Sequence, residues 1–394
     1  MAHFQYVLGL HRLGHQVWFL EEAGWEESCY DPERDEMTSD PTYGAHSLDR
    51  LAASFGLGDR WGYRDSVGRW HGLDGSDVDR VIAEADLFLD VGGTSHFPEM
   101  RHARRRAYVD MDPVFTQLGS FAHPRLDRYD VLFTYGANIG REGCAVPTGG
   151  FDWRPLRPPV VLDVWGDPGR ESVDRIDGSW TTVAHWNAYG EVEHDGETYG
   201  QKDVEFMRLI HLPRRTSHRL EVAVSGEAPL EQLEANGWHV ADPLGISRDP
   251  CGYRDYIRSS HGEFTVAKQA YVKARSGWFS DRTASYLASG RPVVVQDTGI
   301  AGDLPTGYGL VVFETGEEAL AGLDLIEASY EDHCRAAREV AETYFDADVV
   351  LTGLLEEALG SDFVPGPDGA AVSSGTKTSR RGSRRVARAV RGPA

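Results

Sequence analysis

The sequence is short of lysine, with four in 394 residues: Lys202, Lys268, Lys273 and Lys377. It holds four cysteines (Cys29, Cys144, Cys251, Cys334), far apart and without a C-x-x-C pair. That spacing excludes a zinc ribbon or a thioredoxin-like motif and reads as reduced thiols rather than a disulfide framework. No run of 18 apolar residues occurs, so no transmembrane helix is expected. No basic-then-apolar leader opens the chain, so no signal peptide is expected, and the expected location is cytoplasmic. The H-E-x-x-H, G-x-x-x-x-G-K-[ST] and G-x-S-x-G motifs are missing, which sets aside zincins, P-loop NTPases and α/β-hydrolases. No internal repeat is found.

What is present is acid. Sixty-two acidic residues against 40 basic ones give a net charge of −22, and a general nucleic-acid binder needs the opposite surface. The charge is uneven. After Gly369 there are seven bases and no acid, so residues 1–361 carry a net −27. The Gly/Ser/Pro/Arg-rich stretch 361–394 is expected to be a disordered basic tail. Peripheral contact of that tail with an anionic membrane stays open beside the plainer reading of a solvated end.

With 41% hydrophobic residues and room for two domains of ordinary size, the chain is expected to be globular. A helix over His3–Leu13 feeds an apolar strand, Val17–Leu20. A long loop (23–45) and a helix (Ser47–Phe55) follow, then strands Asp86–Val91, Ala107–Met111 and Val131–Tyr135. Strand and helix alternation indicates a doubly wound α/β domain, with ligands beyond the carboxyl ends of its strands. Such a sheet normally opens on a strand, so one is expected ahead of the first helix and the domain is read as one strand short. Prolines and glycines cluster over 141–180, and a second α/β series runs to about residue 345. The boundaries drawn are 1–150 for the N-terminal domain, 151–178 for a linker, 179–345 for the C-terminal domain, 346–360 for a helix crossing back, and 361–394 for the tail.

The segment Arg275–Gly299 carries the most chemistry. Ser280 is placed as the N-cap of a helix over Asp281–Ala288, whose free N–H groups suit a phosphate. Arg275 and Arg282 flank the turn and can add charge-assisted bonds, while Asp281 competes for the helix dipole. In so acidic a body an anion needs a local positive pocket, and Lys202 and Lys268 are candidates to line it, beside the alternative of two solvated lysines. Asp110-Met-Asp112 closes a strand. A metal-binding D-x-D pair is the weaker reading there and a lone base at Asp112 the better one. His3, at a helix start on the ligand edge, can deprotonate a hydroxyl, and His96 is a weaker candidate of the same kind. Trp186 can stack on a ring or fill core.

These residues resemble a known group. Leu13-Gly-His-Gln-Val-Trp-Phe-Leu20 is similar to the opening of many GT-B glycosyltransferases. Ala284-Ser-Tyr-Leu-Ala-Ser-Gly-Arg-Pro-Val-Val-Val295 resembles their donor-site helix and strand. With Asp40-Pro-Thr-Tyr-Gly44 and Val109-Asp-Met-Asp-Pro-Val-Phe-Thr-Gln117, residues 1–360 resemble a largely uncharacterised bacterial glycosyltransferase family. The resemblance implies two Rossmann-like domains facing a cleft. A nucleotide diphosphate-sugar would lie mainly on the second, against Lys202, Lys268, Arg275, Ser276, Gly277, Trp278, Ser280, Asp281, Arg282 and Gln296-Asp297-Thr298-Gly299. The acceptor (a glycan, lipid or small molecule) would lie on the first, with His3 or Asp112 as base. Hexosyl transfer without a bound metal or other cofactor is the implied chemistry, the nucleotide-sugar being substrate. Two glutamates eight residues apart, found in many retaining members, are replaced here by Gly277 and Ser285, which leaves stereochemistry open. A catalytically lapsed nucleotide-sugar binder or scaffold, and a nucleotide-sugar epimerase on the same fold, are the alternatives.

Overall fold

The computed structural model describes residues 1–34, 36–93, 97–119, 125–166, 178–360 and 385–390. The chain opens on a helix, Ala2–Arg12, with Phe4, Tyr6, Val7, Leu8 and Leu10 buried, and it stops where Gly14 takes φ +84°. The strand that follows, Gln16–Glu22, joins a sheet of eight. In spatial order this sheet runs Trp70–Gly72, Trp61–Arg64, Gln16–Glu22, Arg385–Val390, Leu87–Val91, Arg106–Asp110, Val131–Thr134 and Trp153–Pro155. Every pairing is parallel except that of the first two strands.

The position between Gln16–Glu22 and Leu87–Val91 is held by Arg385–Val390. Its register sets Phe19 and Leu89 opposite Arg388. Six residues of the stretch expected to be a disordered tail are thus a strand, and 361–384 and 391–394 lie outside the described residues. The physical reason is the ladder: two buried strands side by side with a gap between them leave N–H and C=O groups that a further strand pairs. Within the stretch read as a linker, Trp153–Pro155 is an edge strand, and 167–177 lies outside the described residues.

The second sheet has six strands, all parallel, in the order His239–Ala241, Leu220–Ser225, Trp180–His185, Gly262–Thr265, Val293–Gln296 and Leu310–Phe313. Gly262–Thr265 and Val293–Gln296 are buried throughout, as expected of central parallel strands. Trp180 and Trp186 are core residues here, Trp186 packing on Phe206 with ring centroids 5.3 Å apart, so the stacking role considered for Trp186 is not what the fold uses. The last described helix, Ala347–Leu359, returns to the first sheet, where Leu351, Leu354 and Leu355 share a core with Tyr6, Val7 and Leu10. Two doubly wound α/β units and a returning helix make up the GT-B architecture implied by the resemblance. Among the described residues no helix is long and apolar enough to cross a membrane.

Gly309 shows how tightly the second unit is packed. It sits at φ +71° before Leu310–Phe313, and a Cβ there would lie 2.2 Å from the Ala337 backbone nitrogen. Strain and overlap act together at this point, so Gly309→Ala is expected to cost about 2–3 kcal/mol of unfolding free energy. Urea denaturation checks it, and a loss under about 1 kcal/mol would show that the helix carrying Ala337 yields.

Candidate functional site

The carboxyl ends of the two sheets meet through three stretches: 110–112, 136–141 and 275–303. Asn138, three residues past the strand end at Tyr135 expected from the sequence, is the main fastener. Its side-chain amide donates to the carbonyls of Arg275 and Gly299, each at 3.0 Å, and its backbone N–H donates to the Ser276 carbonyl. Gly277 (φ +73°) and Gly299 (φ +93°) permit this approach, because a Cβ on either would fall 2.7–2.8 Å from Asn138 atoms. A larger side chain at Gly277 has no room in this arrangement. The Trp278 indole donates to the Met111 carbonyl at 3.1 Å, and Arg141 pairs with Asp303 at 2.6 Å.

The loop Arg275–Gly299 is largely closed on itself. Arg275 adopts the left-handed region (φ 48°), and its half-exposed guanidinium lies 3.6 Å from both Asp297 and Glu314. Ser276 is fully buried, its hydroxyl near the Tyr271 carbonyl. Ser280 is the residue ahead of the helix Asp281–Ala288, as expected, but its side chain makes no capping bond, and the carbonyl of Asp281 accepts from the Ser285 hydroxyl. Asp297 accepts from the N–H groups of Gly299 and Ile300, Thr298 donates to the Trp278 carbonyl, and Gln296 donates to Glu205 and accepts from Ala267 N–H. The cavity enclosed by Thr265, Ala267, Trp278, Ser280, Gln296 and Thr298 measures about 20 Å³. That holds about one water.

Arg282 is not at the mouth of the site. Its guanidinium bonds Glu263 at 2.6 Å, Thr265 at 2.8 Å and the Val183 carbonyl, tying the helix to two strands. The arginine expected to flank a phosphate is paired in this structure with the fully buried Glu263. Lys202 behaves differently. It opens the helix Lys202–Arg208, is 8% exposed, and among the described residues has no hydrogen bond or ion pair. Burial pushes its pKa well below the usual lysine range, repulsion from Arg282 and Lys268 adds to the effect, and the charges of Glu263 and Asp281 oppose it.

Lys268 and Asp112, read separately as donor cation and acceptor base, are joined. The Lys268 ammonium bonds both Asp112 oxygens, at 2.7 and 2.9 Å, across the cleft. It also donates to the Tyr189 hydroxyl, which donates in turn to Asp112. The ring centroids of Tyr189, Phe115 and Tyr271 lie 4.2, 4.9 and 5.5 Å from it. Burial lowers the Lys268 pKa and raises that of Asp112, and in each case the partner's charge opposes the shift. Neither Tyr189 nor Phe115 was singled out in the sequence, where nothing links them to residue 268.

Asp110 is fully buried and accepts from Thr116, Gln117 and Thr134 at 2.7–2.8 Å. Asp112 is held by Lys268, and its backbone N–H donates to Asp110 Oδ1 at 3.0 Å, so the two side chains of the D-x-D stretch have different partners on a linked network. His3 lies beside the Gly92 turn at a different strand end, and His96 lies outside the described residues.

No family model matches the chain, and no curated protein matches it. Among solved structures, the chain is similar to AviGT4, a glycosyltransferase involved in avilamycin A biosynthesis, at 15% identity, covering 72% of this chain and 77% of that one (TM-score 0.45). It is also similar to Anabaena HepE in complex with UDP-glucose, at 12% identity, covering 86% and 98% (TM-score 0.49). A third is the trehalose-6-phosphate synthase OtsA, at 12% identity, covering 85% and 80% (TM-score 0.45).

Proposed function

We infer that this chain transfers a hexosyl group from a nucleoside diphosphate-sugar to an acceptor hydroxyl, with the donor on the second sheet and the acceptor on the first. Lys202 carries the reading. A lysine buried without a bonded counter-ion is costly to keep charged, since Glu263 and Asp281 act on it only through their charge, and an anion beside it lowers that cost. The ammonium stands at a helix start beyond the carboxyl edge of a parallel sheet, where ligands of this architecture collect. The diphosphate would be held by Lys202 and Lys268, in place of a metal ion, and preorganised positive charge there would stabilise the leaving group. In the transfer step the acceptor oxygen bonds to the anomeric carbon as the bond from that carbon to the diphosphate oxygen breaks. The electron pair leaves on the diphosphate, and the acceptor proton passes to Asp112.

A thermal-shift panel of UDP, GDP, TDP, CDP and ADP, with and without Mg²⁺, tests the donor half. A nucleotide at 100 times its Kd is expected to stabilise the protein by about 2.7 kcal/mol, and Lys202→Met is expected to abolish the shift. No shift with any nucleotide, or an undiminished shift in the variant, would overturn the reading. Tight binding without turnover under a panel of acceptors would favour a lapsed binder, and donor conversion without acceptor an epimerase.

A further inference from the structure

Three cations stand near the carboxyl ends of the second sheet, and they differ in what they are free to do. Arg282 is consumed by Glu263, Thr265 and a carbonyl. Lys202 makes no hydrogen bond or ion pair among the described residues, although Glu263 and Asp281 act on it through their charge. Lys268 is committed to Asp112, the residue read as acceptor base, so one ion pair keeps a donor-binding cation and the base out of use together.

This commitment is one that a donor can break. The Lys268 and Asp112 side chains are 15% and 27% exposed, so both reach the cleft. Lysine is a point charge on a flexible four-carbon stem, able to change partner without a change in backbone. A diphosphate carries at least two negative charges against the single charge of Asp112. Once it is anchored at Lys202 it competes for the neighbouring ammonium at short range, where burial keeps the interaction strong. Lys202 and Lys268 are near enough to repel each other, and Lys202 also acts on Asp112, so all three share one field.

We propose that Lys268 exchanges partners when the donor arrives, leaving Asp112 for the diphosphate, so that donor binding releases the acceptor base. The proposal rests on the donor reading above. Asp112, parted from its counter-ion in a partly buried place, becomes the stronger base. The aromatic box of Tyr189, Phe115 and Tyr271 is vacated in the same movement.

The scarcity of lysine makes the exchange directly observable. Lysine-selective ¹³C labelling at Cε gives four signals, assigned by replacing each lysine in turn. The Lys268 signal carries the ring-current shift of three aromatic rings while it stands in the box. Inorganic pyrophosphate and the five nucleoside diphosphates are titrated into the full chain. The expected result is that the Lys202 and Lys268 signals both move, with Lys268 losing its ring-current shift. In Asp112→Asn, whose amide oxygen still accepts a hydrogen bond, the same change is expected at about tenfold lower ligand concentration. If Lys202 responds and Lys268 keeps its ring-current shift, the donor site stands and the exchange is overturned. If neither responds to any ligand, both are overturned.

Discussion

Replacing Arg282 by methionine is expected to lower the unfolding free energy by about 3–5 kcal/mol, the cost of leaving a buried charge without its partner. Glu263 is fully buried, one of its carboxylate oxygens lacks a hydrogen-bond partner, and Lys202 acts on it through its charge without bonding it. Arg282 also holds the Thr265 hydroxyl and the Val183 carbonyl, so its loss unties two neighbouring strands from the helix Asp281–Ala288. The companion variant, Arg282→Met with Glu263→Leu, removes both charges and is expected to recover most of the loss, because a well-packed apolar pair often matches a buried ion pair. Urea denaturation of the two single variants and the double variant isolates the coupling. A single variant within about 1 kcal/mol of the wild type would mean that water reaches Glu263. The same measurement separates two roles: an arginine that held donor phosphate would, when replaced, weaken nucleotide binding and leave stability nearly intact.

The elements that were legible are those whose limits are written in local chemistry. Ser280 before the helix Asp281–Ala288 and Gly290 after it bound that helix in sequence as they do in space. The helix Gly75–Glu84 was passed over although Asp74 caps it through Asp77 N–H and Val78, Val81 and Ile82 form its buried stripe, because its polar residues dominate the window. The stretch 23–45, read as loop, hides a hairpin of two three-residue strands (Cys29–Asp31 and Glu36–Thr38), too short for alternation to register. Arg385–Val390 alternates apolar with small or basic residues, but the charge around it outweighed that pattern. In the site, single residues were legible and their pairings were not. Asp112 and Lys268 each lie just beyond a strand's carboxyl end, which is why both were chosen, yet 156 residues separate them and only the facing of the two sheets brings them together. Arg282 was read from its helix alone, while its partner Glu263 lies within a strand 19 residues earlier and carries no motif.

Asp110→Asn is expected to cost about 2 kcal/mol more at pH 4 than at pH 7.5, relative to the wild type at each pH. The buried Asp110 carboxyl is pushed up to about 6: burial disfavours its charged form by more than the bonds from Gln117, Thr116 and Thr134 favour it. In the unfolded chain the same group loses its proton near pH 3.9. Between those two values the folded state binds the extra proton, so this group's contribution to stability is fullest below about pH 4 and is lost as the pH rises through about 6. Other carboxylates titrate in the same range, and taking the difference between wild type and variant cancels them. Asparagine does not titrate, so it cannot follow the wild type across this window. Its amide also offers one accepting oxygen where Asp110 presents two, Oδ1 to Thr116 and the Asp112 N–H, Oδ2 to Gln117 and Thr134. The variant is therefore expected to be destabilised at both pH values, by the larger amount in acid. Urea titrations at the two pH values give the comparison. An equal loss at both would mean that Asp110 is ionised throughout, held by its hydrogen bonds against burial. Because Asp110 positions the backbone N–H of Asp112, a loosened network there is also expected to weaken the Lys268 pair, which the ring-current shift of Lys268 would register in the same variant.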